Sequence, residues 1–95
     1  MSEESLNKTI RELNSAIELL TVSDFETAKQ HLHNSIKESD CSICQLELNI
    51  LLADTEHSEK MCMLGADTCK EESSALVEKA KELKKDFEDA QNLEE

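Results

Sequence analysis

Residues 41–63, CSICQLELNILLADTEHSEKMCM, decide the fold. The stretch holds neither glycine nor proline. Ile43, Leu46, Ile50, Ala53, His57 and Met61, with Leu64 just beyond, recur in steps of three and four, which is the stripe of an amphipathic helix. Cys44, Leu48, Leu51 and Leu52 widen that stripe. From Ile43 to Ala53 the helix is therefore apolar over most of its circumference and is expected at the centre of the fold. Asp54 to Lys60 is polar but contains no helix breaker, so the spacing predicts one continuous helix over 41–63.

The flanking helices carry their own start and stop signals. Upstream, Leu6, Ile10, Leu13, Ile17 and Leu20 place a helix at 5–21. Ser23 and Glu26 have the spacing of a capping box, with Val22 positioned to staple against the next turn. Phe25, Ala28, Leu32 and Ile36 then form one face of a helix at 24–38. A connection this short makes the two helices antiparallel neighbours. The stretch Asp24-Phe25-x-x-Ala28-x-x-x-Leu32 resembles part of a single tetratricopeptide-type helix pair. The other signature positions do not line up and one unit cannot make a solenoid, so it is read as generic hairpin packing. Downstream, Gly65 suits a left-handed helix end. Asp67 or Thr68 opens the last helix, Thr68 and Glu71 repeating the capping-box spacing. Its stripe is Cys69, Ser73, Leu76, Ala80, Leu83, Phe87 and Ala90, giving a helix at 68–92.

The expected fold is all-α: two antiparallel helical hairpins forming a small four-helix bundle, one domain over residues 1–95, with the second hairpin longer than the first. Composition agrees. A single glycine and no proline cannot supply the turns of a multi-stranded sheet. Aromatics make up 2% of the chain, which argues against a deep aromatic-lined ligand pocket.

A helix rises about 1.5 Å per residue, so the longer hairpin should overhang the shorter by roughly 10–15 Å. That overhang is expected to leave Met61, Leu64, Leu83 and Phe87 as an apolar interface, and self-association is the simplest way to cover it. The expected function is a non-enzymatic protein–protein interaction module whose partner is a protein, most simply a second copy in a homo-oligomer.

The net charge of −12 repels phosphate backbones and anionic membrane surfaces. The one basic cluster, Lys79, Lys81, Lys84 and Lys85, is interleaved with Glu78, Glu82 and Asp86 and reads as a solvated, salt-bridged face. No nucleic-acid or membrane partner is expected. The acidic start Met1-Ser2-Glu3-Glu4 is not that of a signal peptide, which points to the cytoplasm and to thiols or metal ligands in preference to disulfides.

The alternative function rests on Cys41, Cys44, Cys62 and Cys69. Cys41-x-x-Cys44 falls at a helix start, where the helix dipole and free N–H groups lower thiol pKa. It can be a redox pair or half of a metal site, and zinc is the metal such thiolates hold. Ligand sulfurs around zinc lie roughly 3.8 Å apart, whereas a continuous helix separates Cys41 from Cys62 by about 30 Å. One ion then cannot take all four, and Cys62 and Cys69 face each other across Gly65, where a disulfide or a shared metal fits. A break near residues 54–58 would instead bring Cys69 level with Cys41 and Cys44. His33 is the further candidate ligand beside that pair; His31 and His57 read as boundary residues. No Glu-x-x-His pair, glycine-rich phosphate loop or hydrolase elbow is present, so no cofactor is expected apart from the zinc that the cysteines could hold.

Overall fold

The computed structural model describes residues 3–65 and 69–93. Within them lie four α-helices and no strand: α1 (Glu3–Thr21), α2 (Phe25–Glu38), α3 (Ser42–Met63) and α4 (Cys69–Leu93). The helices run up, down, up and down around a ring, in a body of 45 × 20 × 19 Å. α1 packs against α2 and α4, and α3 packs against the same two; the diagonal pairs do not meet among the described residues. The four-helix bundle with the longer second hairpin is thus what forms. No helix among the described residues is long and apolar enough to cross a membrane.

The core follows the stripes of α1, α2 and α4. Leu6, Leu13, Ile17 and Leu20 of α1 meet Phe25, Ala28 and Leu32 of α2 and Leu76, Ala80 and Phe87 of α4. Small polar residues fill the tight places, hydrogen-bonded within a helix or across to its neighbour, while the buried Ser73 hydroxyl of α4 finds no partner among the described residues. The Thr9 hydroxyl donates to the Ser5 carbonyl at 2.8 Å, and the Ser35 hydroxyl, from α2, donates to the Thr9 carbonyl at 2.9 Å. Ion pairs tie helices at the surface, Lys29–Glu59 at 2.7 Å, Lys79–Asp54 at 2.6 Å and Lys8–Glu38 at 4.0 Å, and His31 is hydrogen-bonded to Glu12 at 2.6 Å. Exposed pairs of this kind contribute about 0–1 kcal/mol each.

Two local expectations are corrected. The N-cap of α2 is Asp24, whose carboxylate accepts from the Thr27 N–H at 3.3 Å, and not Ser23. Ser23 is needed elsewhere: it takes φ 61° and ends α1, its N–H donating to the Leu20 carbonyl. A reversal this short needs one left-handed residue, and filling that role turns Val22 out to solvent, so the expected staple does not form. At the second reversal Gly65 has φ 71°, as expected. The expected caps Asp67 and Thr68 lie outside the described residues.

The overhang is also smaller than length alone implied. Ser23, Asp24 and Phe25, at the turn of the first hairpin, line the same surface depression as Cys62, Met63 and Cys69. At the other end the Gln91 amide meets Asn7. Residues 39–41, extended between α2 and α3, supply reach that the short α2 lacks.

Candidate functional site

α3 carries two apolar stripes, and the bundle uses the one opposite to expectation. Cys44, Leu48, Leu51, Thr55, Ser58 and Cys62, in steps of four and three, face inward, with Leu52 beside them. The expected core stripe faces solvent: Ile43 is 69% exposed, Leu46 62% and Ile50 51%, followed by exposed Ala53 and His57. The physical reason is the ring. α3 touches only α2 and α4, so it sits at a corner and only one arc of its surface is covered. The stripe that narrows to Thr55 and Ser58 allows the closest approach to those neighbours. The Thr55 hydroxyl is satisfied within the helix by donating to the Leu51 carbonyl at 2.8 Å.

The outward stripe is depleted in charge as well as rich in branched side chains. Between Cys41 and Ala53 the one residue with a formal charge is Glu47, in a chain that is 34% charged. Toward α4 the surface continues into a shallow groove lined by Ile50, Leu51 and Leu83 and rimmed by Glu47, Lys79, Glu82 and Asp86. Asn49 sits on the exposed face with its amide donating to the Gln45 carbonyl at 2.9 Å.

Of the four residues expected at an interface, Leu64 is exposed (79%) at the tip beside Met63 (81%). Met61 is half-buried, and Leu83 is half-buried against the core. Phe87 is corrected: it is a core residue, 4% exposed, because α4 turns this part of its stripe, with Leu76 and Ala80, into the bundle. The residues that sequence reasoning missed as surface, Ile43, Leu46 and Ile50, had been assigned to the core. Their near-total lack of charged neighbours on all sides of the helix was the signal that one helix carried more apolar surface than a corner position can bury.

The cysteines separate into two pairs, one at each end of α3. Cys62 and Cys69 form a disulfide, Cα–Cα 4.8 Å, across the Gly65 reversal. Of the disulfide and the shared metal expected for this pair across Gly65, the structure forms the disulfide, and the general preference for thiols or metal ligands does not hold here: the turn that juxtaposes two helix ends also juxtaposes their side chains. Cys41 and Cys44 are free and partly exposed. Cys41 caps α3, its sulfur accepting from the Cys44 N–H at 3.4 Å. The hydrogen bond from the Cys44 thiol, joined by the backbone N–H groups, lowers the Cys41 pKa. Burial, with that same hydrogen bond, pushes Cys44 up to about 12. The four sulfurs do not share a centre, and the described residues hold no group of three or more His, Cys, Asp or Glu able to hold a metal ion. His31 is paired with Glu12, while His33 and His57 lie exposed. No protein-family model, curated protein or solved structure matches this chain.

Proposed function

We propose that the chain is a helical protein–protein interaction module that associates with a second copy of itself through the outward face of α3. The observation that carries this reading is the run of Ile43, Leu46 and Ile50, each more than half exposed on one face of one helix. Contiguous apolar patches on small proteins mark interaction sites. A two-fold pairing of α3 against its copy would place the same stripe on both sides of the contact, as an isologous interface requires. The choice of a second copy rests on charge. Two chains of −12 repel, and the face from Ser42 to Ala53, with Glu47 alone charged, is where a copy approaches against the least repulsion. The Leu83 groove widens the patch toward the area of a stable interface, about 1,200–2,000 Å² in total.

No enzymatic step and no cofactor enters this reading. In the cytoplasm, where the reading places the chain, reducing systems open accessible disulfides; association through α3 is expected whether Cys62–Cys69 is closed or open.

Sedimentation equilibrium over micromolar to millimolar protein tests the proposal. The expected result is a monomer–dimer equilibrium that strengthens as salt rises, because screening weakens repulsion between the two acidic bodies. The double substitution Leu46→Glu with Ile50→Glu should abolish association while leaving the helical circular-dichroism signal intact. A monomer across the whole concentration range at high salt would overturn the reading, as would a dimer that the double variant leaves unchanged.

A further inference from the structure

We propose that Cys41 and Cys44 form a working dithiol that exchanges with small disulfides, Cys41 as the attacking thiolate and Cys44 as the resolving thiol. This goes beyond association through α3 and does not depend on it.

Cys41 and Cys44 stand together at the first turn of α3, the Cys44 N–H donating to the Cys41 sulfur at 3.4 Å. Cys41 is the cap residue, with extended backbone (φ −104°, ψ 121°), and Cys44 lies in the first turn of α3, so the two sulfurs can approach each other at the open end of the helix. The segment that presents Cys41 is held on both sides. The Cys41 N–H donates to the Ser39 hydroxyl at 3.3 Å, and the Gln45 amide reaches back to the Ser39 carbonyl at 2.7 Å and the Ile36 carbonyl at 3.4 Å. Gln45 also donates its own backbone N–H to the Cys41 carbonyl at 2.9 Å. The cap residue is therefore fixed by its neighbours and does not rely on the hydrogen bond to its own sulfur.

The two thiols are unlike, as attack followed by resolution requires. Cys41 is at the open end of the helix, facing backbone N–H groups that stabilise a thiolate. Cys44 belongs to the inward stripe and packs against the core, which keeps it protonated until a disulfide forms beside it. The lowered Cys41 pKa and the raised Cys44 pKa are in keeping with that division.

The chemistry balances with a disulfide as the oxidant. The Cys41 thiolate attacks one sulfur of RS–SR, forming Cys41–S–SR and releasing RS⁻. Cys44 loses its proton to the released thiolate and attacks the Cys41 sulfur, forming Cys41–S–S–Cys44 and a second RS⁻, which takes a proton from solvent. Two protein thiols are oxidised, and one substrate disulfide is reduced to two thiols. The partly exposed site suits a small, flexible disulfide such as oxidised glutathione.

The test uses the full chain, with oxidised glutathione as the probe and intact-mass and peptide-mass readouts. The wild-type protein should become two hydrogens lighter, with Cys41 and Cys44 joined in one peptide. Cys44→Ser should instead accumulate one glutathionyl group on Cys41, and Cys44→Ala serves the same purpose if serine is poorly tolerated on the inward face. Cys41→Ser should stop adduct formation at Cys44. With limiting iodoacetamide, Cys41 should alkylate at least about tenfold faster than Cys44, following its larger thiolate fraction. Equal alkylation rates, an adduct confined to Cys62 and Cys69, or a Cys44 variant that retains helical structure but traps nothing would each overturn the proposal. None of these readouts depends on oligomeric state, so failure here leaves association through α3 standing, and the reverse.

Discussion

The two faces of α3 have similar residues and opposite fates. Inward, Leu48 and Leu51 are closed off beneath α2 and α4; outward, Leu46 and Ile50 stand in solvent one helical step away. The difference is not in the side chains but in the position of the helix at a corner of the ring, where α2 and α4 cover one arc and α1 lies across the diagonal. Hydrophobicity alone tells which helix has surplus apolar surface. Packing decides which part of that surface is surplus.

Substitutions should separate the two faces in size of effect. Leu48→Ala removes a side chain with no exposed surface, so urea unfolding should show a loss of about 2–5 kcal/mol. If that loss proved no larger than for Leu46→Ala, the inward and outward assignment would be broken. Opening the Cys62–Cys69 bond, by reduction or by the double serine substitution, frees the end of the inward stripe and should lower stability by about 2–3 kcal/mol through loop entropy. Hydrogen exchange should then rise first at Cys62 to Leu64 and spread little past Ser58.

Alkaline pH probes the same division at the other end of α3. Cys44 is held protonated well above its ordinary value of 9.0. Between pH 9 and about 12 the unfolded chain therefore releases a proton that the folded chain keeps, and stability falls as pH rises. Lys29, raised above 10.5 by its hydrogen bond to Glu59, contributes in the same direction. Thermal melts of wild type and Cys44→Ser across this range should converge if the thiol is responsible. The smallest effect belongs to the outward face: in monomeric protein, Leu46→Glu or Ile50→Glu should change unfolding free energy by no more than about 0.5 kcal/mol, sharpening the contrast with Leu48.

The architecture was legible because its signals are local. The stripes of Leu6 to Leu20 and Phe25 to Ile36, the absence of breakers through Asp54–Lys60, and Gly65 as a left-handed helix end all act within a few residues. The separation of Cys41 and Cys44 from Cys62 and Cys69 followed from helix rise once continuity was granted. What failed depended on neighbours. Ser23 has the side chain of a cap, but the reversal claims its backbone. Phe87 lies on a stripe that could have been left bare by a long hairpin, yet α4 remains level with α1 as far as the meeting of Gln91 and Asn7. The face of α3 was ambiguous because its apolar residues encircle the helix, and periodicity cannot choose between two stripes one step apart.

The ring has a consequence for how the chain assembles. Three of its four seams join helices consecutive in sequence, and each can zip from a nearby turn with little loop entropy to overcome. The fourth, between α1 and α4, brings together the first and last helices of the ring, with Lys84 reaching Asn14 across 70 positions. Local seams of this sort give rapid folding, whereas the α1–α4 seam must wait for the other three. It is the last boundary of the bundle to shut, closing only once both hairpins stand.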